Sequence, residues 1–338
     1  MTTTARNSRN PRNSRIRGAS IALLLAATTA LTGCSTTPAD TTPPAPSSPT
    51  SATAPPAATD TRARLEVDGT SRDYVLHRPA KSGDGRRPLV IAFHGRRQTA
   101  EEVRRLSGLD KAADRRGLLV AYPEGLNKGW GDGGAPTAKR PDPDTDVRFT
   151  AALIKKLVGS GQADPRRVYV VGFSNGGSMA LRMAAQRPDL VAAAGTVAGQ
   201  LPTKPAEVRP TGAVPALLIY GDKDPVRPIT GMPKPGPPAP GAEPSTPTLS
   251  ARASAEAFAA SAGKKGGTPS PVTEKKTGYT RTVWDSPSPR GDVELIVVHG
   301  GGHTWPGSAV RGNPAFGPTS KALDATAAIL AFVTGKRS

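Results

Sequence analysis

From about residue 89 to residue 332, short unbroken apolar runs alternate with stretches of helical periodicity. The runs at 89–93, 118–122, 168–172, 192–198, 217–220 and 295–298 are bounded by glycine, proline or charge, the pattern of strands buried on both faces of a parallel sheet. Between them, residues 100–114, 145–158, 175–186 and 250–262 read as helices, with a last helix near 320–332. An early pair of segments, 64–66 and 73–78 around Asp68-Gly69, predicts an antiparallel hairpin at the sheet edge. These elements predict an α/β fold over residues 64–338, a mostly parallel, doubly wound sheet with flanking helices. Residues 232–247, rich in proline and glycine, interrupt the alternation and are expected to form a disordered or cap-like excursion.

The first 63 residues follow a different rule. Arg6, Arg9, Arg12, Arg15 and Arg17 form a basic region, and residues 21–31 are apolar but too few to span a bilayer. Leu31-Thr32-Gly33-Cys34 comes next and resembles a bacterial lipobox. Residues 1–33 thus read as a lipoprotein signal peptide, with Cys34 as the lipidation site. Cys34 is also the only cysteine, so no intrachain disulfide can form. Residues 34–63, dominated by Thr, Pro, Ala and Ser, read as a disordered tether. The expected location is the extracellular face of the cell membrane, by anchor, or the outside by secretion.

Chemistry enters with Gly172-Phe173-Ser174-Asn175-Gly176, which lies where an apolar strand gives way to a helix. A serine on such a turn has its hydroxyl exposed, and only very small side chains fit two positions before and after it. A serine hydroxyl needs a base, and the base needs an orienting carboxylate, in the order serine, acid, histidine. The strand ending at Tyr220 runs into Asp222 and Asp224, and the strand ending at Val298 runs into His299 and His303. On this reading Asp222 competes with Asp224 for the acid, and His299 with His303 for the base. His94 ends the first parallel strand, in the loop from which such an enzyme supplies one backbone oxyanion donor; Arg96 and Asn175 are the expected donors. His77 is expected at the surface.

The segments PLVIAFHG, GLDKAADRRGLLVAYPEG, GWGDG, VYVVGFSNGGSMA, YGDKDPV and VELIVVHGGGHTWPG carry a resemblance. The chain resembles the secreted α/β-hydrolase esterases of the polyhydroxybutyrate depolymerase and feruloyl esterase family, over about residues 65–332. The resemblance implies an α/β-hydrolase fold and a serine esterase in which Ser174 is the nucleophile, Asp224 the acid and His303 the base. Acid and base are assigned by alignment to the family's loops, in which Asp222 falls on a threonine. It implies hydrolysis of feruloyl, acetyl or short hydroxyalkanoate esters through an acyl-enzyme, by a monomer acting on a small-molecule or polymeric ester. Two further readings are a peptidase of the same fold and a non-catalytic binding lipoprotein. His94, Trp130 and Trp305 are the candidates for substrate contact, His94 mainly as a shaper of its loop; aromatic residues make up only 4% of the chain, which draws attention to a tryptophan in each of two loops near the predicted site.

The formal charge is +18, and removal of the five leader arginines takes it to +13. The arginines are scattered and form no nucleic-acid module, so no nucleic-acid partner is expected. Asp142, Asp144 and Asp146 imitate the start of a calcium loop, but Val147 stands at the glycine position and Leu153 at the closing glutamate. No metal and no cofactor is expected.

Overall fold

In a computed structural model of the chain, the residues described are 57–80, 85–238, 240, 243–263, 267–286 and 291–335. The expected signal peptide, Cys34 and most of the tether lie outside the described residues. Ten strands form one sheet in the order β1-β2-β4-β3-β5-β6-β7-β10-β9-β8. They are β1 (Thr59–Val67), β2 (Thr70–Arg78), β3 (Arg87–Phe93), β4 (Leu119–Pro123), β5 (Ala163–Phe173), β6 (Ala193–Val197), β7 (Ala216–Gly221), β8 (Val272–Lys276), β9 (Tyr279–Trp284) and β10 (Val293–Val298).

The six central strands, from β4 to β10 in that order, pair in parallel. They are the six apolar runs of the sequence, and their uniform burial has a simple cause: helices cover both faces. Helices α1 (Ala100–Ser107) and α2 (Leu109–Arg116) pack on β3 and β4, and α2 touches α6 (Ala325–Val333), which lies on β6 and β7. The other layer consists of α3 (Thr145–Gly159) and α4 (Asn175–Gln186) on β5, and α5 (Ala251–Ala262) on β7 and β10.

The expected edge hairpin is present and longer than its sequence signal. Val67 pairs with Thr70 across Asp68 and Gly69, whose φ values of 51° and 71° give the primed turn suited to two-residue hairpins. Strand β1 begins at Thr59, inside the stretch expected to be tether, because the β2 backbone offers partners up to Arg78. The single helix expected at 100–114 is two helices. Gly108 takes a left-handed φ of 60° and closes α1, whose start is a capping box between Thr99 and Glu102. The last helix starts at Ala325 rather than near residue 320, where the Asp324 side chain caps the Ala327 N–H.

Strands β8 and β9 were not anticipated. Most of β8 faces solvent and its Thr-Glu-Lys-Lys run carries no apolar alternation, so only pairing to β9 makes it a strand. The 232–247 excursion leaves and returns at a Met232–Thr248 bridge, and its return limb docks beside the loop around Trp130 rather than remaining loose. Ala239, Gly241 and Ala242 lie outside the described residues.

Candidate active site

Five loops that follow the carboxyl ends of β3, β4, β5, β7 and β10 converge. The strand order reverses between β3 and β5, the place where an open α/β sheet leaves a crevice. Ser174 stands between the end of β5 and the first residue of α4 with φ 56° and ψ −118°, a conformation that costs a non-glycine residue about 1–3 kcal/mol. The flanking glycines are sterically required. A Cβ on Gly172 would lie 2.2 Å from the Gly176 carbonyl oxygen, and one on Gly176 would lie 2.3 Å from that of His94. The turn is tied down by the Ser174 N–H, which donates to Val197 O at 2.8 Å.

His303 Nε2 lies 2.8 Å from Ser174 Oγ, and its Nδ1 lies 2.7 Å from Asp224 Oδ2. The other Asp224 oxygen accepts the N–H groups of Val226 and Arg227 at 2.9 and 2.8 Å, which fixes the carboxyl plane. The His303 ring is held between Phe173 and Phe316, with centroids 5.0 and 5.8 Å away. The loops after β7 and β10 come together because Gly221 has no side chain: a Cβ there would sit 2.2 Å from Gly301 O. Asp222 points elsewhere, accepting the exposed Gly300 N–H at 2.7 Å, so it is the turn residue. His299 is exposed and bonds Thr280.

His77 departs from expectation. It is 3% exposed, with Nδ1 2.8 Å from Asp60 and Nε2 3.2 Å from Asp114, because β1 and α2 close over its strand. Asp60, His77 and Asp110 bring ligand-type atoms within 4.8 Å of one another, the one such group among the described residues. The Arg104 guanidinium bonds both Asp60 and Asp110, so the cation this cluster calls for is already supplied by the chain.

Beside the serine, Arg97 N–H donates to Lys128 O, Gln98 N–H to Gly95 O, and Gly95 N–H to the Gln98 side chain. Among the described residues, the Arg96 N–H is the amide of that turn left without such a bond. Asn175 opens α4, where the first N–H groups have no intrahelical acceptor. Its side chain spans to the next loop, accepting from Trp130 N–H and donating to Trp130 O and Asp132.

The aromatic candidates divide. Trp130 lines two adjoining depressions of about 150 and 120 Å³, while its indole N–H donates to His94 O. His94 is fully buried, takes the Gly125 N–H on Nε2 and so donates from Nδ1 to Gly95 O; burial holds its pKa below the usual histidine value. It shapes two loops and meets no substrate surface. Trp305 is also a correction. It is 1% exposed, donates to Thr326 on α6 and borders a depression walled by α1 and α2, because its indole N–H finds its partner on that side.

Several buried charges escaped sequence reasoning, and three of them bear on the site. Arg227, three residues past Asp224, donates through Nη1 to Ser174 O at 3.1 Å, Ser178 Oγ at 2.7 Å and Ala198 O at 3.4 Å, and through Nη2 to Asp132 at 3.4 Å. Asp132 also accepts from Thr246 on the return limb of the excursion. Asp146, from the calcium-like run, accepts from Arg72, Arg140 and the Gly131 N–H, so it braces the Trp130 loop. Asp142 bonds Arg148 and Asp144 bonds Arg182, so the three aspartates converge on no common point. Only proximity to Asp224 and the GWGDG string hinted at Arg227 and Asp132.

Over 288 residues the chain is 43% identical to the putative esterase NocK of Nocardia uniformis subsp. tsuyamanensis, covering 82% of this chain and 83% of that protein. The sequence profile of the Esterase PHB depolymerase family matches residues 72–208. The chain belongs to this esterase family. It is a carboxylic ester hydrolase of the α/β-hydrolase kind. A second relative of this esterase, feruloyl esterase B of Piromyces equi, is 32% identical over 150 residues, which cover 42% of this chain and 27% of that protein. Among solved structures, the acetyl xylan esterase from Aspergillus awamori superposes with a TM-score of 0.50 at 17% identity, covering 73% of this chain and 94% of that one. That likeness supports the fold.

Proposed function

We propose that this esterase works through Ser174 as nucleophile, His303 as general base and Asp224 as the acid that orients it. The continuous hydrogen-bonded path of 2.8 and 2.7 Å from Ser174 Oγ through His303 to Asp224 carries the reading. A proton on Nδ1, shared with Asp224, leaves the Nε2 lone pair facing the serine hydroxyl. His303 Nε2 takes the Ser174 hydroxyl proton as Oγ bonds to the ester carbonyl carbon, and the Arg96 and Asn175 N–H groups receive the oxyanion. His303 then protonates the leaving alkoxide and an acyl-enzyme remains. Water, deprotonated by His303, attacks the acyl carbon; the acid leaves and Ser174 regains its proton. The substrates proposed are feruloyl, acetyl or short hydroxyalkanoate esters, in keeping with the relatives named feruloyl esterase, acetylxylan esterase and poly(3-hydroxyalkanoate) depolymerase.

A fluorophosphonate probe should label the protein at Ser174 and leave Ser174→Ala unlabelled, and that variant should lose about 10⁴-fold or more in rate on p-nitrophenyl acetate or methyl ferulate. Labelling at another serine, or near-full turnover by Ser174→Ala, would overturn the assignment. We further propose that acylation of Cys34 anchors the enzyme to the outer face of the membrane, on the evidence of the Leu31–Cys34 sequence; unchanged membrane association of Cys34→Ala would refute it.

A further inference from the structure

The two depressions beside Trp130 share Arg96, Trp130, Arg140 and Glu243 as walls, and the second is also lined by Arg97, Asn127, Gly129 and Lys139. They are joined to the nucleophile by short links: Asn175 follows Ser174 and bonds Trp130 through both main-chain groups. Arg96, whose N–H is proposed to receive the oxyanion, lines both. The charges on these walls are unevenly satisfied. Asp132 is buried and bonded by Asn175, Thr246 and Arg227, and Glu243 is bonded by the Thr137 hydroxyl. Arg140 is committed to Asp146 and Leu126 O.

Arg96 and Arg97 differ. Both are exposed, and among the described residues neither guanidinium meets a protein acceptor. The turn that carries them is built at some cost: Arg97 has φ 65°, and its N–H is held to Lys128 O at 2.6 Å. Two unpaired planar forks on the walls of these depressions, one of them on the residue whose N–H is proposed to receive the oxyanion, suit a carboxylate, which they can bind in bidentate fashion. A neutral acyl or alcohol group gains less from them, because its hydrogen bonds to a guanidinium lack the charge of the acceptor.

We propose that this esterase prefers esters that bear a second, ionised carboxylate on the acyl or alcohol part, and that Arg96 and Arg97 are the specificity-determining residues that hold it. The inference rests on Ser174 as the nucleophile. An exposed pair of guanidinium groups should favour the anionic ester by roughly tenfold or more in kcat/KM.

The test compares near-isosteric pairs: mono-p-nitrophenyl glutarate against p-nitrophenyl valerate, and 4-(butyryloxy)butanoate against pentyl butyrate. The readout is the ratio of kcat/KM within each pair, measured for the native enzyme, Arg96→Gln/Arg97→Gln and Arg96→Lys/Arg97→Lys. In the native enzyme at least one anionic ester should lead its neutral partner by about tenfold, and the lead should shrink as salt rises from roughly 0.02 to 0.5 M. The glutamine variant should bring the ratio to about one, and the lysine variant should keep most of the lead. A native ratio of one or below in both pairs, or an equal ratio in the glutamine variant, overturns the inference. Fluorophosphonate labelling of Ser174 in the same samples separates this outcome from failure of the catalytic assignment.

Discussion

Replacing Arg227 with methionine should cost this esterase both stability and rate, because one buried guanidinium serves four acceptors, three in separate loops and one on α4. It holds Ser174 O, Ala198 O and Ser178 Oγ, and it faces Asp132 at 3.4 Å. Methionine keeps most of the aliphatic volume, so the loss is electrostatic rather than a cavity. Removing one member of a buried ion pair costs about 3–5 kcal/mol, chiefly because the other charge remains. Here Asp132 still has Asn175 and Thr246, which places the loss near the lower end, about 3 kcal/mol. For a domain of this size that corresponds to a drop in Tm of roughly 6–12 °C, readable by calorimetry. Arg227→Met/Asp132→Asn removes the stranded charge and should recover roughly half of the loss. The rate should not recover with it, since the tie to Ser174 O is gone in both variants. A Tm within about 2 °C of the native value in Arg227→Met would refute the reasoning.

Asp224→Asn should lower kcat by about 10⁴-fold with little change in KM, whereas Asp222→Asn should stay within about threefold, since Asp222 only accepts an exposed N–H. Gly176→Ala places a Cβ 2.3 Å from His94 O, so the elbow must shift; fluorophosphonate labelling should fall to background while α4 persists by circular dichroism, and normal labelling would contradict the steric account. Burial depresses the His94 pKa, so the unfolded chain takes up a proton below its ordinary value near 6.5 while the folded chain does not. The His94 contribution to stability is therefore complete above that pH and declines as pH falls below it toward the lower folded value. In urea titrations the stability gap between the native enzyme and His94→Gln should narrow from pH 7 to pH 5; a gap that stays constant would show that His94 is not buried in its neutral form.

The parallel sheet, and the strand ends at which Ser174, Asp224 and His303 meet, were legible because each of these loops follows an apolar run, and such runs announce themselves in sequence. The choice of Asp224 over Asp222 was not decided by spacing, since both lie in one turn; only hydrogen bonding shows that Asp222 faces Gly300 and Asp224 faces His303. Strands β8 and β9 escaped because an exposed edge needs no apolar alternation. Trp305 and His77 were misread for one reason: a residue's neighbour in sequence says little about which layer its side chain enters.

The charges behind the site illustrate the same limit at longer range. Arg227 and Asp132 are 95 residues apart, and Thr246 and Asp132 are 114 apart, so no local pattern links them. Yet these contacts help decide where the elbow stands relative to the Asp224 loop. The Arg227 backbone N–H fixes the Asp224 carboxyl, and its side chain grips Ser174 O, so one residue bonds at both ends of the span from Ser174 to Asp224. Its Nη2 contact with Asp132 extends the grip to the Trp130 loop, whose far side faces Arg96 and the depressions. A strained serine conformation persists only where surrounding bonds over-determine it, and here they are supplied by a buried arginine that no catalytic motif contains.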